Sequence, residues 1–173
     1  MAMLKTITEL GREEAKSIEE DVKEHLLNIA VQRTGVPRER WLIRDILPKT
    51  DLELSTESWS FDYSTANSEN LVINKQLPQR KFIAFFGVAV RDPEPAAVYI
   101  KFATGAGGAT VKDIIHLEDL YVKREPDAWL EEPIVYEQQD WVKIYVYPSK
   151  VKTGEKLILK GYVAEIKGEL ITE

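Results

Sequence analysis

The chain has 173 residues, a formal net charge of −6, 44% hydrophobic and 30% charged residues, and no cysteine. That length suits one domain with a buried core, and the composition is that of a soluble globular protein rather than a disordered chain. The missing cysteines exclude disulfides, thiolate nucleophiles and cysteine metal sites, and the acidic balance argues against a general grip on nucleic acid, which needs clustered Lys and Arg.

The first third reads as helix. From Arg12 to Arg33 the apolar positions Ala15, Ile18, Val22, Leu26, Ile29 and Ala30 fall three or four apart, with acidic residues between them, and Gly35 supplies a C-terminal stop. A second, shorter helix is expected from Pro37, at a permitted first-turn position, to about Leu47, with Pro48 ending it and Trp41, Leu42, Ile46 and Leu47 offered to a partner surface. Arg38, Arg40 and Arg44, the one basic cluster, are interrupted by Glu39 and Asp45 and read as a solvated face of that helix.

Residues 49–79 are polar and irregular, with one short strand expected around Trp59 to Tyr63. The period then changes from helical to two. FIAFFGVAV, Phe82 to Val90, is apolar on both faces and reads as a central strand; it is too short for the roughly 18 to 20 residues that span a bilayer. Alternation continues through Val98–Phe102, Val142–Val146 and Leu157–Val163, and turn-forming stretches separate these runs. Several short strands without intervening helices predict an antiparallel sandwich or barrel of seven or eight strands. The opening MAMLKTITELGREEAKS has no apolar h-region or cleavage site, so no secretion signal and no membrane partner are expected. The absence of cysteine with abundant Lys and Glu is also met in heat-adapted proteins.

No stretch carries a recognisable catalytic signature. The glycines of KFATGAGGATVKDII lie between two β-rich runs, Lys112 comes too late for a phosphate-binding loop, and Thr110 stands where a dinucleotide fingerprint needs its third glycine; they are read as a wide hairpin turn. In KDIIHLEDLY, His116 and Glu118 would share one face of a strand and could contribute to a divalent site, yet the only other histidine, His25, belongs to the N-terminal helix, so a polar strand edge or an intersubunit contact is preferred. Glu131 and Glu132 are taken as a polar segment before a strand, pointing to opposite faces. No catalytic residue, metal or cofactor is therefore expected. With Val142, Ile144 and Val146 inward, Trp141, Lys143, Tyr145 and Tyr147 form an outward row that suits either a neighbouring subunit or a sugar, the subunit being preferred.

The stretches KFIAFFGVAV, IIHLEDLYV, EEPIVYEQQDWVKIYVY and LILKGYVAEIKGELI together resemble the β-sandwich region of small virion structural proteins of tailed viruses, over about residues 77–171. The resemblance implies a capsid-associated or decoration role, with copies meeting one another or capping a shell formed by a major capsid protein, in a virion assembled in the host cytoplasm. The fold expected is α+β: an N-terminal helical element (1–48) followed by an antiparallel, jelly-roll-like sandwich domain (49–173). Its assembly surface would draw on Trp141, Lys143, Tyr145 and Tyr147 together with Ile18, Val22 and Leu26 of the first helix and Trp41. That helix could pack on its own sheet or across a neighbour. The alternative function is a carbohydrate-binding module using the outward aromatics, and less favoured is a hydrolase whose carboxylates folding brings together.

Overall fold

A computed structural model describes residues 4–108, 110–123 and 127–168. The expected first helix is present as α2 (Arg12–Thr34), preceded by a short strand β1 (Leu4–Thr6) and a single turn α1 (Ile7–Leu10). Gly35 caps α2 in the left-handed conformation, φ 73°, and donates its N–H to the Val31 carbonyl at 2.9 Å.

The second expected helix is not there. Arg38–Arg40 form one 3-10 turn, Trp41–Asp45 form strand β2, and Pro48 opens a short helix α3 (Pro48–Leu52) instead of closing one. Five residues are too few to tell a period of 2 from one of 3.6 by hydrophobicity, and tertiary pairing decides. Trp41 and Ile43 pack beneath α2 while Leu42 and Leu47 remain about 40% exposed, at 39% and 40%. Pro at the first helical position is equally well placed in α3, where its missing N–H would have no intrahelical partner anyway.

The remaining strands are β3 (Phe61–Tyr63), β4 (Asn70–Gln76), β5 (Phe82–Val90), β6 (Ala97–Thr104), β7 (Thr110–His116), β8 (Asp127–Tyr136), β9 (Trp141–Pro148), β10 (Lys152–Glu155) and β11 (Leu157–Ile166), with a helix α4 (Glu118–Lys123) between β7 and β8. The eleven described strands exceed the seven or eight expected, because β1, β2, β4 and β10 lie in stretches read as helix, loop or turn. All strand pairs are antiparallel, in a five-stranded sheet of order β1-β8-β5-β11-β2, a four-stranded sheet of order β4-β9-β6-β7, and a two-stranded sheet of β3 and β10. The fold is β-rich α+β.

The pairing has a simple internal logic. β2 pairs with β11, β3 with β10, β4 with β9, β5 with β8 and β6 with β7, each pair nested inside the one before. The chain is thus a single antiparallel ribbon doubled back on itself, whose tip is the glycine turn between β6 and β7. Folding the ribbon brings β5 beside β11 and β6 beside β9, which closes the two large sheets.

Two apolar layers hold it together. Between the sheets, Ile83, Phe85, Leu130, Tyr136, Leu159 and Val163 meet Ile73, Ile100, Phe102, Ile115, Ile144 and Val146. On the other face of the five-stranded sheet, Val22, Leu26 and Ala30 of α2 pack on Phe82, Ala84, Phe86, Trp129, Tyr162 and Ile166. β5 is therefore buried on both faces, which accounts for its unbroken apolar sequence. Residues 4–48 do not stand apart as a helical element, since β1 and β2 provide the two edges of the five-stranded sheet and α2 covers it.

A charged clamp fixes the end of β2. Asp51 of α3 is fully buried and accepts both terminal nitrogens of Arg44, each at 2.8 Å, Lys81 Nζ at 2.6 Å and the Leu47 N–H at 2.6 Å. Arg44 also reaches Glu165 of β11 at 2.7 Å. Burial alone would raise the Asp51 pKa, but these donors outweigh it and hold the carboxyl below its ordinary value.

Candidate functional site: the outer face of the four-stranded sheet

One face of the four-stranded sheet closes the core; the other carries no covering layer among the described elements. Its outward side chains form rows across the strands, set by the register. The first row is Tyr147 on β9, Tyr99 on β6 and His116 on β7; the second is Leu71 on β4, Tyr145, Lys101 and Ile114; the third is Asn74, Lys143, Ala103 and Val111. Gln76 and Trp141 end the face.

Contacts along these rows hold the side chains in place. The rings of Tyr99 and Tyr147 stack at 5.0 Å and 11°, and His116 leans on Tyr99 at 5.7 Å. Lys101 Nζ lies 4.6 Å from the centre of the Tyr145 ring and donates to Glu69 at 2.6 Å, while the Tyr99 hydroxyl donates to the same carboxylate at 2.8 Å. Lys143 sits 5.2 Å from the Trp141 ring and donates to Asn74 at 2.9 Å. Burial, and then the Glu69 carboxylate, push the Tyr99 pKa up to about 12, so the phenol remains a neutral donor throughout the physiological range.

The glycine turn serves this face. Gly105 and Gly108 have φ of 87° and 68°, which a wide hairpin needs, and a side chain at Gly108 would collide with the Tyr145 hydroxyl and approach Lys143 Cδ to 3.1 Å. The turn therefore lies down on Tyr145 and Lys143, leaving Lys143 only 7% exposed. The hairpin reading of these glycines holds, and its tip helps to shape the outer surface.

The eight expected surface residues divide. Trp141, Lys143, Tyr145 and Tyr147 come together on the outer face, as the alternation of β9 requires. Val22, Leu26 and Trp41 are buried between α2 and the five-stranded sheet, where they serve the core of a single chain, while Ile18 is only partly buried and lines a groove between α2 and β8. Their spacing marks a buried stripe; which surface buries it was not readable from the stripe. The face also gains Leu71, Tyr99, Lys101 and Val111. Tyr99 and Lys101 were legible as the partners of inward Ile100 and Phe102, whereas Leu71 lies in a stretch read as loop.

Two other expectations change. His116 and Glu118 do not share a strand face, because β7 ends at His116 and Glu118 opens α4; no cluster of three metal-ligating side chains occurs among the described residues. Glu131 and Glu132 lie inside β8 rather than before it. There the register slips between Phe85 and Gly87 of β5, and both glutamates face one groove of about 460 Å3 against α2, with Glu131 paired to Lys5 at 3.0 Å. An irregularity in the ladder overrides the simple alternation that would have sent them to opposite faces.

No protein-family model matches the chain, and no curated protein matches its sequence.

Proposed function

We propose that this chain is a non-enzymatic structural protein that associates with copies of itself, and with a major capsid or other virion protein, through the outer face of the four-stranded sheet. The observation that carries the reading is that face: a broad surface of apolar, aromatic and lysine side chains, already immobilised by stacks and ion pairs. A surface fixed in advance loses little side-chain entropy when a partner covers it. Leu71 and Val111, at 45% and 47% exposed, supply apolar area that no neighbouring element covers.

The strand order supports the virion setting. Counting β2, β4, β5, β6, β7, β8, β9 and β11 as first to eighth, the two sheets run 1-8-3-6 and 2-7-4-5. We read this as a jelly roll with a helix laid on one sheet, an architecture used by viral capsid and lectin domains. Fold by itself does not choose between those two uses, and the aromatic geometry favours the first reading. Tyr99 and Tyr147 turn their ring faces on each other, and lysines lie over Tyr145 and Trp141. A sugar needs such faces free, whereas a protein surface can pack on ring edges and lysine stems.

Joining along the free edge of β7 is disfavoured on the same grounds. The β6–β7 register slips between Phe102 and Ala103, and Lys112 reaches back to lie 5.2 Å from the Tyr136 ring, both devices that blunt a strand edge. The contact is face to face.

Sedimentation velocity over a range of concentrations tests the proposal. The expected result is an oligomer that Leu71→Glu and Tyr147→Glu dissociate without altering the circular dichroism spectrum, and mass spectrometry should find the chain in purified virions. A wild-type protein that stays monomeric and is absent from particles removes the proposal.

A further inference from the structure

A second concave site lies on the opposite sheet, away from the outer face, and does not depend on the assembly reading. It arises where the ribbon bends. β2 pairs with β11 only between Ile166 and Tyr162, with Asp45 as the last partner, and from Ile46 the chain leaves the sheet and turns into α3. The stretch of β11 from Ile158 to Gly161 consequently has no β2 strand beside it, and a cavity of about 430 Å3 opens there. That volume is within the range of small-ligand pockets.

Its lining includes Trp59, Phe86, Tyr162, Glu19 of α2, Lys160 of β11 and the exposed Asp45. Phe86 is the residue at which the ladders of β5 with both β11 and β8 slip, and it stacks on Tyr162 at 4.8 Å and 26°. The Glu19 carboxylate is oriented by two donors, Trp129 Nε1 at 3.1 Å and the Tyr162 hydroxyl at 3.5 Å. Burial, followed by the charges of Glu19, Asp45 and Glu20, raises the Tyr162 pKa, which keeps its phenol protonated as a donor. Lys160 Nζ lies 3.8 Å from Asp127 and 4.8 Å from the Trp129 ring centre, and Lys23 Nζ lies 4.9 Å from that of Tyr162.

This chemistry is selective. An anion entering the cavity would meet Glu19 and Asp45; a cation would meet Lys160, and the rings of Trp129 and Tyr162 that could otherwise attract it already have Lys160 and Lys23 against them. What suits both signs at once is a neutral molecule bearing hydroxyls that donate to carboxylates and accept from an ammonium, with an apolar face to lay on an indole. From this we infer that the cavity between Trp59, Tyr162, Glu19 and Lys160 binds a neutral, polyhydroxylated ring, the chemistry of a mono- or disaccharide.

The test uses the full-length 15N-labelled protein. Its Trp59 indole N–H signal is identified as the one lost in Trp59→Phe, and the wild type is titrated with glucose, galactose, N-acetylglucosamine, maltose and lactose. At least one sugar should shift that signal saturably, Asp45→Asn should weaken binding by roughly tenfold through loss of the charge and one acceptor oxygen, and Trp59→Ala, followed through the backbone amides of Lys160 and Gly161, should remove it. Asp45 is exposed, so its variant keeps the fold and separates lost binding from lost structure. The inference is overturned by a Trp59 signal that none of the five sugars moves. It is equally overturned by binding unaffected in both Asp45→Asn and Trp59→Ala, or by a saturable shift with tetramethylammonium that no sugar displaces.

Discussion

The two large sheets share one core yet differ in how they are covered, and the difference is written in their strands. The five-stranded sheet is covered twice, by the four-stranded sheet and by α2, so β5 is apolar at nearly every position and β11 runs Leu157, Leu159, Val163 one way and Tyr162, Ala164, Ile166 the other. The four-stranded sheet is covered once, and β9 alternates strictly, Val142, Ile144 and Val146 inward against Trp141, Lys143, Tyr145 and Tyr147 outward. Residues with two covered faces serve stability. Large organised side chains that the core does not need, as on β9, are where a partner is to be sought.

Removing one cover should therefore matter far more than altering the open face. Deleting residues 1–34 strips β1 and α2 and exposes Phe82, Phe86, Trp129 and Tyr162, and the expected outcome is loss of cooperative unfolding in a urea titration followed by circular dichroism. A cooperatively folded remainder would show that α2 is an accessory after all.

The clamp at the end of β2 comes next. Asp51→Ala leaves Arg44 and Lys81 partly buried without their shared carboxylate, and should cost about 3–5 kcal/mol in denaturant unfolding. The pH dependence carries a definite sign. Because the folded pKa of Asp51 lies below its ordinary 3.8, its contribution is fully present above that value and is lost as the pH falls through the folded pKa. Urea midpoints measured from pH 6 downward should fall more steeply below about pH 4 in the wild type than in Asp51→Asn. Parallel curves would mean that the clamp does not couple to protonation.

Leu26→Ala beneath α2 should destabilise by about 2–5 kcal/mol, since Leu26 is fully buried in the second apolar layer. By contrast, Leu71→Ser on the open face should change stability by about 0.5 kcal/mol or less while weakening association. If the two substitutions prove equally costly in a monomeric sample, the outer face is part of the fold's own packing and the comparison between the sheets fails. The smallest effect is spectroscopic: ultraviolet titration should reveal a tyrosine ionising near 12 that moves part of the way toward an ordinary value in Glu69→Gln, which removes the charge acting on Tyr99 while its burial remains.

What could be read in advance had a repeating signal longer than a few residues. The six turns of α2 repeat their apolar stripe, β5 is apolar throughout, and β6, β9 and β11 alternate over most of their length. β2 and β4 gave no such signal. β2 has five residues, and β4 buries only Ile73 because it is an edge strand with a register slip between Leu71 and Ile73. For the candidate surface, the β9 and β6 contributions were legible from alternation, while those of β7 and β4 needed the register. The helix residues assigned to the same surface were misplaced because a hydrophobic stripe looks alike whether its partner is in the same chain or another.

The sequence by itself determined the long first helix, the doubly buried central strand, the glycine turn and the outward aromatic row, because periodicity and positive-φ turns are local properties of the chain. Only the tertiary structure decided that one nested ribbon folds into two sheets, that α2 covers the first of them, and that Tyr99 stacks on Tyr147 while the bend beside Trp59 leaves a cavity. Those outcomes depend on contacts between residues far apart in the chain, whose energies no local pattern encodes.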